Sequence, residues 1–140
     1  MRPPNGQRNP RFPPHHFRYL DRALLIGPYM ALCMNERSFV REMKKLDVND
    51  PPPFMGKNGH ATTHYFDNDK RGLICVVCIK HDRSKTIEQI HALLAHEAVH
   101  IWQAFKDFIN EKNPSGEMEA YAVQNIFQSL AIAYREAVKR

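Results

Sequence analysis

The sequence predicts an α+β domain: a sheet of about three strands, antiparallel or mixed, packed on one long helix, with a second helix at the C-terminal end. Three observations carry this expectation. Short apolar or alternating runs lie between residues 28 and 80, a long segment of helical periodicity follows, and another helical segment closes the chain. The predicted order is strand, helix, strand, strand, helix, helix.

Each element has its own signal. "ALLIGPYMALCM" (23–34) is apolar and predicts a strand near 28–34. Asn35 is a suitable N-cap for "ERSFVREMKKL", in which Phe39, Met43 and Leu46 share one helical face. "NDPPPFMGKNG" is punctuated by proline and glycine and predicts a loop. "ATTHYF" and "GLICVVCIK" flank "DNDKR" and predict an antiparallel hairpin. The first strand alternates, as an edge strand does; the second is apolar on both faces, as a central strand is. From about 85 to 109, Ile87, Ile90, Leu94, Ala98, Ile101, Trp102, Phe105 and Phe108 form an apolar helical stripe. "NEKNPSG" interrupts it, and Asn113-Pro114 or Ser115 starts the last helix. That helix is expected to bury Ala122, Val123, Ile126, Leu130 and Ala133.

At 140 residues, with 43% hydrophobic and 25% charged side chains, the chain suits one globular domain. No apolar run is long enough for a transmembrane helix, and the basic N-terminus lacks the apolar core of a secretory signal. A cytoplasmic or phage- or virion-associated setting is expected, with no membrane partner. Residues 1–18 read as a flexible Pro/Arg-rich arm, and 19–140 as the domain. Residues 1–22 hold Arg2, Arg8, Arg11, Arg18 and Arg22 against Asp21 alone, which is +4 of the chain's net +5. Such an arm offers contact to nucleic acid or another anion, although its composition favours a solvated tail. Of the three cysteines, Cys75 and Cys78 form a CxxC within a strand, where side chains three apart point to opposite faces. All three, Cys33 included, read as buried small hydrophobes in a reducing compartment, not as metal ligands.

The chemistry is concentrated in "LLAHEAVHIWQ" (93–103). With His96 at zero on a helical wheel, His100 falls at about 40° and Glu97 at about 100°, while the apolar stripe centres near 180°. Two imidazoles at i and i+4 on the polar side converge at the spacing a tetrahedral zinc requires. Glu97 lies beside that point, where a base for zinc-activated water belongs. Given eight His and eight Glu, HExxH arises by chance in roughly one such chain in 40, so context must decide. The context is a strongly helical segment with the correct orientation and a carboxylate at a suitable distance. HExxHxxGxxH is excluded, because Gln103 and Lys106 stand where Gly and His would be needed. Asp107 lies about 10 Å further along the helix than His100, too far to share a metal, and Glu111 lies in the loop. Glu117 and Glu119 remain.

HEAVH followed by "GEMEAYAVQNIF" resembles the gluzincin group of zinc metallopeptidases, of zincin fold. It is also similar to small HExxH proteins with an E-x-x-A-Y/D helix, some of them phage-encoded. The motif match covers 96 to about 121, and the element order extends it over about 28 to 139. The resemblance implies peptide-bond hydrolysis of a peptide or protein substrate. It implies a Zn2+ cofactor held by His96, His100 and a glutamate, with Glu97 as general base. Orientation opposite the buried face of the last helix favours Glu117 as third ligand, and Glu117-Met-Glu-Ala120-Tyr121 fits the pattern. The 18 residues between His100 and Glu119 match a spacing common in the group and favour Glu119. Tyr121 stands where the group often has an acid that supports a ligand histidine, and is a candidate transition-state or ligand-orienting group. His60, His64 and Gln103 read as surface or supporting residues, and Trp102 as core. The alternative reading is a zinc-stabilised binding or assembly module that uses the basic arm; there, an acid that does not bind the metal has no task.

Overall fold

A computed structural model describes residues 27–57, 59–68 and 72–139. The arm, the first part of the expected domain and the hairpin loop at 69–71 lie outside the described residues. The architecture is α+β with the expected element order: β1 (Tyr29–Cys33), α1 (Glu36–Lys45), β2 (Ala61–Asn68), β3 (Gly72–Ile79), α2 (Ile87–Phe108) and α3 (Gly116–Val138). The sheet is mixed, in the order β1-β3-β2. β1 runs parallel to β3, with Cys33 opposite Cys78, and β2 runs antiparallel to it, with Thr63 opposite Val77.

β3 is central because both its faces are covered, and every residue from Leu73 to Ile79 is buried. Leu73, Cys75, Val77 and Ile79 point to one layer, formed with α2 and α3. Ile74, Val76 and Cys78 point to the other, formed with Phe39 and Met43 of α1 and with Leu46 and Phe54. The two cysteines of the CxxC therefore sit in different cores, as strand alternation requires. Cys78 instead meets Cys33, whose thiol is lowered by the hydrogen bond between them, while the same bond and burial raise Cys78.

The helix ends follow local chemistry. Asn35 and Thr86 each close a capping box, with Ser38 and Gln89 as reciprocal partners. Ser115 caps α3 through the Met118 N–H. α1 and α2 both stop on a left-handed residue, Asp47 (φ 59°) and Asn110 (φ 58°). In each case two backbone bonds satisfy the last carbonyls: Asp47 N to Lys44 O and Val48 N to Met43 O, then Asn110 N to Asp107 O and Glu111 N to Lys106 O. This fixes the turn that brings α3 back along α2.

Two expectations about the stripes are corrected. Ile87 and Phe108, at the ends of α2, are about half exposed, although the Phe108 ring lies over Gly72 at the start of β3. On α3, Ile126 and Leu130 are buried as expected and Ala122, Val123 and Ala133 are half-buried, but Tyr134 completes the buried row. No helix among the described residues is long and apolar enough to cross a membrane.

Candidate metal centre on the HExxH helix

α2 lies against the sheet with Ile90, Leu94, Ala98, Ile101 and Phe105 inward. His96 and His100 project from its exposed side. Their rings meet edge to face with centroids 4.7 Å apart, and the two Nε2 atoms are 3.1 Å apart. A tetrahedral zinc with bonds of about 2.0–2.1 Å needs its nitrogens roughly 3.3 Å apart, so the pair is already near metal-ligand spacing. Gln103 Oε1 lies 3.1 Å from His100 Nδ1. With Nδ1–H donating to that amide oxygen, the His100 Nε2 lone pair is left free to accept, here from His96 Nε2–H. Gln103 thus orients the second histidine of the motif.

Glu97 faces β2. It is 6% exposed, the one buried charged residue among the described residues, and its Oε2 accepts a hydrogen bond from the Thr63 hydroxyl of β2. A buried carboxylate without a donor would be costly, so this bond fixes both the side chain and the approach of α2 to the edge strand. Tyr65 lies two residues along on the same face of β2. Its phenol is pushed up to about 12, by burial first and then by the charges of Cys75 and Glu97, so it stays a neutral donor at physiological pH. Thr63 and Tyr65 were not singled out from sequence. Strand alternation combined with the wheel position of Glu97 would have found them: 61, 63 and 65 share the face toward α2.

The remaining candidates are placed as follows. His64 lies on the opposite face of β2, with Nε2 3.2 Å from Phe54 O and its ring 5.1 Å from that of Phe39. It supports the α1 layer and does not reach the histidine pair. His60 is exposed just before β2. Trp102 is buried, as expected, and its Nε1–H donates to Glu119 Oε1 at 3.1 Å, which ties α2 to α3. Glu119 therefore faces the helix contact, and Glu117 is exposed on the other side. Neither joins the histidines: among the described residues no three His, Cys, Asp or Glu side chains form a group that would hold a metal. The structure brings together His96, His100 and Gln103, and Glu97 with Thr63, and leaves Glu117 and Glu119 apart from the histidines. Tyr121 is 61% exposed, neither a core residue nor a neighbour of Glu97 in the bonding network.

Beyond the C-terminal end of β3, the loop before α2 carries Lys80, His81, Asp82, Arg83 and Lys85. Asp82 accepts from Lys85 Nζ at 2.6 Å and from the Ser84 hydroxyl and backbone N–H. Those bonds, with Lys85 the strongest, hold its carboxyl well below the usual range. Compared with known protein families, with curated proteins and with solved structures, the chain matches none.

Proposed function

We propose that this protein is a zinc-dependent peptide hydrolase in which His96, His100 and a glutamate of α3, Glu117 with Glu119 as the alternative, hold the metal. The observation that carries the reading is the division of labour within one helical turn. Two imidazoles converge at metal-ligand spacing, and the acid between them is buried and held by Thr63 instead of joining them as a ligand. Zinc, when bound, supplies Lewis acidity toward a carbonyl and toward water.

The chain's own residues do the rest. Gln103 holds the His100 ring in the tautomer that leaves Nε2 free. Glu97 takes a proton from the attacking water and returns it to the leaving amine. Thr63 positions the Glu97 carboxylate, and Tyr65 remains protonated beside it. β2 pairs with β3 along one side only and offers its other edge to the backbone of an extended peptide.

The test is Glu97→Gln assayed on a mixed peptide library with mass-spectrometric detection of products. The variant is expected to keep zinc and lose hydrolysis. A cleavage rate equal to that of wild type would refute the role of Glu97. If zinc only braces a binding module, wild type and variant bind zinc alike and neither cleaves any peptide.

A further inference from the structure

Two cavities open at the end of the sheet, of about 810 Å3 and about 380 Å3, and they share Lys80, His81 and Arg83. The smaller is also lined by His60, Lys85 and Leu93. Its one acid, Asp82, is taken up by Lys85 and Ser84. In the larger, Glu36 is the one acidic lining residue. Among the described residues, Lys80 and Arg83 pair with no carboxylate, so two cations face the smaller cavity without a counter-charge.

The position of this cavity is as informative as its charge. Leu93 lies one helical turn before Glu97, on the wheel between His100 and Glu97. His60 lies three residues before Thr63, about 10 Å along an extended chain. The basic cavity therefore lies beside α2 and just before the start of β2, about three residues along the strand from the Thr63–Glu97 contact. A peptide added to the β2 edge in the antiparallel sense, the more stable pairing, runs past Thr63 toward His60. At about 3.3 Å per residue, its second or third residue beyond the scissile bond reaches Lys80 and Arg83.

We propose that the cavity lined by Lys80, Arg83 and His60 binds a carboxylate of the peptide, two or three residues C-terminal to the bond that is cut. The inference rests on the peptidase reading for its register, but its binding test is independent of turnover. Arginine and lysine beside a partly enclosed cavity recognise carboxylates through charge-assisted hydrogen bonds. The source of the carboxylate is either an acidic side chain or the free C-terminus.

Fluorescein-labelled ten-residue peptides with Glu or Gln in their C-terminal third, each as free acid and as amide, are titrated against full-length Glu97→Gln protein by anisotropy. A carboxylate-bearing peptide should bind about tenfold more tightly than its neutral counterpart, and Lys80→Gln/Arg83→Gln should remove the difference. Both side chains are exposed, so folding is spared, and circular dichroism confirms it. The Glu/Gln and acid/amide arms identify which carboxylate is read. Equal affinity for all four peptides, or a preference that survives the double variant, overturns the subsite. So does a single-stranded oligonucleotide that displaces the Glu peptide and binds more tightly through the same two residues. A carboxylate preference in a protein whose wild type cleaves nothing supports the subsite and overturns the peptidase reading.

Discussion

Thr63→Val is the most incisive substitution outside the motif. It keeps the shape of the side chain and removes the single hydroxyl that donates to Glu97, a carboxylate 6% exposed. Hydrogen bonds to charged groups contribute about 1.5–3 kcal/mol, and the unpaired oxygen adds its own desolvation cost. Thr63 is half-buried, so water reaches the pair in part, and a loss of about 2 kcal/mol is expected. For a domain of this size that lowers Tm by about 8 °C. Urea unfolding is the assay, in chelator so that metal contributes nothing. It is followed by the fluorescence of the single, buried Trp102 and by circular dichroism to check two-state behaviour. The control is a double-mutant cycle: in a Glu97→Leu background, Thr63→Val should cost almost nothing, which gives a coupling energy of about 2 kcal/mol. A single variant within about 0.5 kcal/mol of wild type, or the same cost with and without Glu97, would refute the claim that Thr63 positions the acid.

Two further outcomes are expected, one from the proposed ligand set and one from burial of a thiol. Glu117→Ala should weaken zinc affinity by at least ~10–100-fold, whereas Glu119→Ala should lose the bond from Trp102, about 1.5–3 kcal/mol of stability, with little change in affinity. Zinc titration of the two variants in parallel decides this, and the reverse pattern would make spacing rather than orientation the better guide. At high pH, the buried Cys75 thiol, raised from 9.0 to about 12 by burial, contributes stability that is fully present below 9 and lost as pH rises toward 12. The loss at pH 10 is about 1.4 kcal/mol. Cys75→Ala should therefore lose less stability than wild type between pH 8 and pH 10, while Tyr65 and Cys78 act alike in both proteins. Parallel slopes in urea titrations at the two pH values would contradict it.

What could be read from the sequence depended on whether a residue's task is local. The Asn35 and Ser115 caps, the central placement of the wholly apolar β3 and the alternating edge strand depend on a few neighbouring residues, and all were legible. So was the convergence of His96 and His100, because helical geometry alone brings i and i+4 together. Contacts between elements were not. Thr63 meets Glu97 across 34 positions of chain, and nothing near Thr63 marks it as a partner. The same holds for the pairing of Cys33 with Cys78, set by the register of a parallel pair, and for the cavity that Lys80, Arg83 and His60 line together. Ile87 and Phe108 continue the apolar period of α2 yet stay about half exposed at its two ends, which periodicity alone does not reveal.

The central claim is that His96 and His100 form half of a zinc site. It is tested most directly by zinc titration of metal-free wild type, His96→Ala, His100→Ala and Glu97→Gln, by calorimetry with elemental analysis of the product. One zinc per chain is predicted for wild type and for Glu97→Gln, with binding lost in either histidine variant. Failure of the wild-type chain to take up zinc, or a stoichiometry unchanged when either histidine is removed, would contradict the account.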